Sequence, residues 1–382
     1  MPGAMEWAAE RTRAMVGLLT DLVAIESPST DPAAVARLAE RIARDLDALG
    51  MAAELVPVTG GGPVLRARTA AAAQPGARPV MLLGHLDTVW PVGTLPRRPV
   101  RVDGDRFTGP GCYDMKAGLV IALYALRALA ARGALPAATV FFTPLEEVDG
   151  EPYRALMESE MAAASAVLDF EPAWPGGAVK TSRKGSGTFL LRARGRASHA
   201  GADLSRGANA ILELARQCLA VSRLTDAARG VSANVGVVRG GLRPNVVPDR
   251  AEAEIDVRYP TLADGSALAG ALRNLRPEDS GVSLEIEGGL HYPPLERTPA
   301  VAALYARARE AAAEIGLDLG EAATGGASEA SFAAALGRPT LDGLGADGDG
   351  AHAEDEHVLV SSLAPRVALV AGLIDRVARL GV

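Results

Sequence analysis

The sequence predicts an α/β fold built on a mixed, mostly parallel sheet and interrupted by a smaller α+β unit of different texture. Three observations carry this reading. Val80-Met81-Leu82-Leu83 and Thr139-Val140-Phe141-Phe142 are short continuous apolar runs, as strands buried on both faces of a parallel sheet are. Between them Met115 to Ala131 has the pattern of a long, mostly buried helix, and a further run at Ala166-Val167-Leu168 extends the crossover order. From about Gly185 the pattern becomes strict alternation, in 187–194 and 251–258, as half-exposed antiparallel strands require.

Taken in order, residues 5–26 and 31–50 show helical spacing of apolar positions. The second is opened by Ser29-Thr30-Asp31-Pro32 and closed by Gly50. The first strand run is bounded by Pro79 and Gly84. Within the alternating region a helix is expected over 208–224, and Ser283-Leu284-Glu285-Ile286-Glu287 adds a strand before Pro293-Pro294. Helix returns at 300–315. The expected division is therefore 1–185 and 294–382 for the α/β part, with 186–293 inserted. A chain of 382 residues is long enough for two cores.

With 48% hydrophobic but only 4% aromatic residues, the core must be built mainly from Ala, Val and Leu. A net charge of −7 spread along the chain argues against a nucleic-acid or anionic-membrane partner. Charged residues break every apolar run in 1–25, so neither a signal peptide nor a membrane span is expected, and a cytoplasmic setting is. Cys112 and Cys218 lie far apart and outside any Cys-x-x-Cys pattern, so a metal here must be held by His and carboxylates.

Such residues recur at strand ends. His85 follows the first strand in Gly84-His85-Leu86-Asp87, where Asp87 is placed to orient the imidazole through its carboxylate. Asp114 precedes the long helix, Glu146-Glu147 follow the second strand, Glu171 follows the third, and His352 sits in Gly350-Ala351-His352. Singly each has an ordinary reading: a loop histidine, a helix N-cap, solvated acids. Together His85, Asp114, Glu147, Glu171 and His352 supply the ligand count of a two-metal site with one bridging carboxylate. Glu146 is left over beside a ligand, a group able to take a proton from the attacking water and return it to a leaving amine. His357 is the rival to His352.

The order of Gly-His-Leu-Asp-Thr-Val, Gly-Pro-Gly-x-x-Asp-Met-Lys-Ala-Gly, Glu-Glu, Phe-Glu-Pro, Gly-Arg-Ala-Ser-His-Ala-Gly and Gly-Ala-His resembles the co-catalytic di-zinc peptidases and deacylases. That superfamily includes acetylornithine deacetylase and succinyl-diaminopimelate desuccinylase, and the resemblance is closest to the bacterial glutamate carboxypeptidases. It covers nearly the whole chain. It implies a zinc-peptidase catalytic domain with an inserted lid and dimerisation domain, and two Zn²⁺ per subunit, with Co²⁺ or Mn²⁺ as other candidates. Asp114 would bridge the ions, His85 and Glu171 would bind one, and Glu147 and His352 the other. Glu146 would be the general base. A homodimer through the lid would let His199 reach the partner's site and polarise the scissile carbonyl.

Asn245 and Arg258 match lid positions that contact substrate in the glutamate carboxypeptidases, and Lys180 has a similar standing. An arginine suits a carboxylate fork. Tyr292 stands where the family has an arginine, and Leu145 where an Asp is common. The resulting expectation is hydrolysis of an amide bond adjacent to a free carboxylate. An N-acyl amino acid deacylase or dipeptidase using the same machinery is the alternative. The rival of another class, a catalytically silent metal-containing binding protein, is opposed by Glu146 beside a full ligand set.

Overall fold

The computed structural model describes residues 3–133, 135–148 and 150–382. They form two compact units, Met1–Thr181 with Arg297–Ala323 and Phe332–Val382, and Ser182–Glu296 with Thr324–Ser331. Sequence reasoning did not anticipate that the second unit takes in Thr324–Ser331, which joins it where the Lys184 N–H donates to Thr324 O.

The first unit is centred, among the described residues, on a six-stranded sheet ordered Ala52–Val56, Val64–Arg68, Ala138–Thr143, Val80–His85, Ala166–Asp169, Thr340–Leu341. The last four strands run parallel to one another, and Val64–Arg68 runs antiparallel to both of its neighbours. Val80–His85 and Ala138–Thr143 are buried along their whole length, which explains their unbroken apolar character. Helices Ala117–Ala130 and Leu363–Leu380 pack together over this sheet and contribute most of their residues to its core. Gly118 is required there, since a Cβ would collide with Phe170 O where the helix meets the end of a strand.

Helix Pro32–Asp47 begins as expected, with the Asp31 side chain accepting from Ala34 N and proline in the first turn. The helix expected over 5–26 is instead two, Ala4–Ala9 and Thr12–Val23. Thr12 Oγ1 donates to Ala9 O at the break, a local side-chain bond that competes with helix continuation.

A small antiparallel sheet, ordered Gly348–Asp349, His357–Leu359, Arg106–Thr108, Arg101–Asp103, matters most for the site. Its first two strands form a hairpin whose connection carries His352, and Arg106–Thr108 leads into the turn Cys112–Lys116 that carries Asp114. Segments some 240 residues apart are thereby held side by side.

The second unit is an antiparallel sheet ordered Ser232–Gly240, Arg250–Tyr259, Gly185–Arg194, Ser283–Tyr292, with helices Ala210–Ser222 and Leu262–Arg273. Alternate residues such as Phe189, Leu191, Ile255 and Val257 face a core closed by Leu214, Leu268 and Leu272. The alternation read from the sequence is this one-sided burial. No helix among the described residues is long and apolar enough to cross a membrane.

Candidate metal centre

Three neighbouring parallel strands deliver functional groups from their C-terminal ends. His85 closes Val80–His85, Glu146 and Glu147 follow Ala138–Thr143, and Glu171 follows Ala166–Asp169. Open α/β sheets leave backbone ends and space at this edge, which is why sites gather there. The turn carrying Asp114 and the hairpin carrying His352 complete the ring.

Asp114 occupies the centre, and its two oxygens face different partners. Oδ1 lies 3.1 Å from His85 Nε2, which is itself 3.5 Å from Glu171 Oε1. Oδ2 lies 3.3 Å from His352 Nε2, which is 3.0 Å from Glu147 Oε2. Ligand atoms at about 2.0–2.1 Å from a tetrahedral ion stand about 3.3 Å from one another, so these are the spacings of atoms sharing an ion. His85, Asp114 and Glu147 offer ligand atoms within 4.8 Å of one another, as do His85, Glu146 and Glu171. Glu147 Oε1 is buried with no hydrogen-bond partner among the described residues, a cost that a cation would remove. The donor set therefore fits divalent cations.

The charge balance agrees. Burial alone would raise the Asp114 carboxyl, but the His352 and His85 rings hold it far below the usual carboxylate range. Burial pushes Glu147 up to about 7, the charge of Asp114 adding to the effect. The hydrogen bond to Asp114 raises His352 to about 9. Burial opposes a charged His85, yet hydrogen bonds to Asp114 and Glu171 raise it well above 6.5. The ion-free cluster thus holds protons on His85, His352 and Glu147, positive charge that cations would supply instead.

His352 has φ 63, in the left-handed region that costs a non-glycine residue about 1 kcal/mol or more. Its loop is closed by Ala353 N donating to Gly350 O at 2.8 Å. His357 is not part of the cluster, because its ring turns to Asp355 O at 3.0 Å.

Asp87 requires a correction. The His85 Nδ1–H faces the Asp87 backbone carbonyl at 2.9 Å, while the nearer carboxylate oxygen is 3.6 Å away. The carboxylate instead accepts from Glu146 N and Glu147 N, each at 3.2 Å, and from Ser29 Oγ at 2.6 Å. It orients the paired glutamates, and the carbonyl two residues on orients the imidazole.

In the second unit His199 is exposed, and its Nδ1 accepts from Gly201 N at 3.1 Å and Ala202 N at 3.0 Å. With Nδ1 an acceptor in the neutral ring, Nε2 carries the proton and is a donor. Asn245 lies beside it, its carbonyl accepting from Ala200 N at 3.0 Å. Arg258 is not an open fork: Nε and Nη2 reach the two Asp256 oxygens, both at 3.0 Å. Lys180 is buried in the first unit, its backbone paired with that of Asp342. Tyr292 accepts through its carbonyl from Tyr259 Oη at 2.8 Å.

Sequence reasoning missed Ser29 and Glu356. Glu356 stood in the acidic run Glu354-Asp355-Glu356, which reads as solvated, yet it is fully buried.

An α/β chain with His and carboxylate groups gathered on both oxygens of one aspartate defines a metal-dependent hydrolase of the peptidase class. The sequence profile of peptidase family M20/M25/M40 matches residues 81–376, and the chain belongs to that family. It is 32% identical over 309 residues to carboxypeptidase G2 of a Pseudomonas species, covering 78% of this chain and 74% of the relative. It is 32% identical over 312 residues to a putative succinyl-diaminopimelate desuccinylase of Mycobacterium tuberculosis, covering 76% and 80%. The structure of the aminopeptidase PepT from Bacillus cereus shares the fold with a TM-score of 0.79 and 22% identity, over 96% of this chain and 99% of that one.

Proposed function

We propose that the protein cleaves an amide bond adjacent to a free carboxylate, in the manner of a glutamate carboxypeptidase, with two divalent ions per subunit, Zn²⁺ foremost. The observation that carries this reading is the division of the Asp114 oxygens between a His85–Glu171 pair and a His352–Glu147 pair. The ions, when bound, act as Lewis acids that lower the pKa of water and polarise the scissile carbonyl.

The chain's own residues do the rest. Glu146, whose backbone N–H is anchored on Asp87, takes the proton of the attacking water and passes it to the departing amine. His199 of the partner subunit donates Nε2–H to the carbonyl oxygen, a role supported by the backbone bonds that occupy Nδ1. Pairing through the inserted unit is supported by exposed Ile211, Leu212 and Leu219 on helix Ala210–Ser222 and by Val238 on the edge strand Ser232–Gly240. Asn245, Arg258 and Lys180 are the proposed substrate contacts.

The engagement of Arg258 by Asp256 favours a second reading, an N-acyl amino acid deacylase or dipeptidase that does not demand a side-chain carboxylate. Metal-reconstituted protein assayed against N-acyl glutamates, other N-acyl amino acids and dipeptides separates the two. A preference of tenfold or more for acidic amino acids supports the first. No turnover of any carboxylate-bearing amide, with both ions bound, overturns both.

A further inference from the structure

Glu356 is wholly buried and sits four residues beyond His352 in the hairpin connection. Its carboxylate gathers N–H donors that belong to other parts of the chain. Oε1 accepts from Tyr113 N at 2.9 Å and Asp114 N at 3.1 Å, and Oε2 from Gly111 N at 2.9 Å and the Trp90 indole Nε1 at 2.8 Å. Three of these donors are consecutive or near-consecutive peptide groups of the turn that presents Asp114. Trp90 is braced in turn by the Arg98 guanidinium, 4.1 Å from its ring centroid, and Arg98 Nη2 donates to Ala353 O at 3.3 Å. The buried ammonium of Lys116, bonded to Ile25 O at 2.7 Å, loses basicity through burial, and the Glu356 charge opposes that loss.

A buried carboxylate accepting several charge-assisted hydrogen bonds is a strong tie, and removing it leaves peptide N–H groups without partners. Here the tie joins two segments that each supply one ligand to the same ion. His352 comes from the hairpin and Asp114 from the turn, and their ligand atoms lie 3.3 Å apart. His85 and Glu171, by contrast, stand on strand ends of the central sheet, whose spacing does not depend on Glu356.

We propose that Glu356 is a positioning residue that fixes the Asp114–His352 separation and so sets the affinity of one metal position selectively. This rests on the two-ion reading above. Groups that orient metal ligands typically contribute about 10–100-fold to metal affinity. The loss is therefore expected chiefly on the ion held by Glu147 and His352, whereas the other position shares only Asp114 with it, keeps His85 and Glu171 at strand ends, and should change by less than about threefold.

The test is a competition titration of the full-length, metal-stripped protein with Zn²⁺ against a chromophoric chelator, for wild type, Glu356→Gln, His352→Ala and the double variant. Gln preserves shape but turns an amide NH₂ toward N–H donors. The proposal expects Glu356→Gln to weaken by tenfold or more the binding step that His352→Ala abolishes, to spare the other, and to add nothing in the double variant. Equal weakening of both steps, or none, overturns it. Should Glu356→Gln fail to fold, Trp90→Phe retains the carboxylate and removes one donor. A smaller loss confined to the same step then supports the proposal, and unchanged affinity overturns it. Wild type binding fewer than two ions would instead overturn the two-ion reading itself.

Discussion

Metal loading should expel protons in a number set by the cluster. In the ion-free protein at pH 6, His352, with a pKa of about 9, and His85, raised well above 6.5, both hold protons, as does Glu147 at about 7. Binding requires neutral imidazoles and an ionised carboxylate, so filling both positions releases about three protons at pH 6. At pH 8 Glu147 is already ionised, and release falls by about one. By linkage the combined affinity for both ions drops on acidification, by about 10³-fold per pH unit near pH 6. Calorimetric titration of metal-stripped protein in pairs of buffers with different ionisation enthalpies counts the protons directly. Glu147→Gln should remove the step between pH 6 and 8 and leave the histidine contribution. Release below one proton, flat from pH 6 to 8, would mean that the ions bind away from these side chains.

The same shifts govern the stability of the ion-free form. His352 and Glu147 bind protons more tightly folded than unfolded, so the stabilisation they give is full at low pH, is lost for Glu147 between pH 4.5 and 7, and is lost for His352 between 6.5 and 9. The Tm of stripped protein should fall as pH rises from 6 to 9 and that of loaded protein should not, as scanning calorimetry can show. Chelation should abolish turnover while far-ultraviolet circular dichroism stays nearly unchanged, because a core of this size does not depend on a metal. Glu146→Gln should retain both ions and lose about 10²–10⁴-fold in kcat, whereas Glu147→Gln should lose an ion; elemental analysis giving the reverse would exchange the two roles. Arg258→Ala should cost roughly tenfold in kcat/KM on carboxylate substrates and little on amidated analogues, and Asp256→Asn, which frees the fork, should lower KM for the former. His199→Ala and Glu146→Gln homodimers should each be nearly inactive, and their mixed dimers should recover up to about half of wild-type activity. Subunit exchange without recovery would place His199 outside the partner's catalysis.

What could be read from the sequence follows from which groups make their own pattern. Buried parallel strands are apolar on both faces, so Val80–His85 and Ala138–Thr143 stand out, and the candidate ligands at their ends follow from metal chemistry. The edge strand Ala52–Val56 and its neighbour Val64–Arg68 are each only five residues long and interrupted by charged residues, so nothing local distinguishes them from loop. Helix Leu363–Leu380 escaped for the opposite reason: it is buried on nearly every side, which erases the one-sided stripe that marks a helix. Asp87 and Glu356 illustrate a third limit. Each works through backbone N–H groups, of Glu146 and Glu147 in one case and of Gly111, Tyr113 and Asp114 in the other. A peptide N–H has no residue type, so a carboxylate that binds only such donors leaves no partner in the sequence to pair it with. Asp87 is legible because it lies two residues from a histidine, but that spacing points to its carboxylate, whereas its backbone carbonyl meets the ring. Glu356 lies beside Asp355 and Glu354, and the ordinary chemistry of an acidic run conceals a buried tie between its own hairpin connection and the turn that carries Asp114.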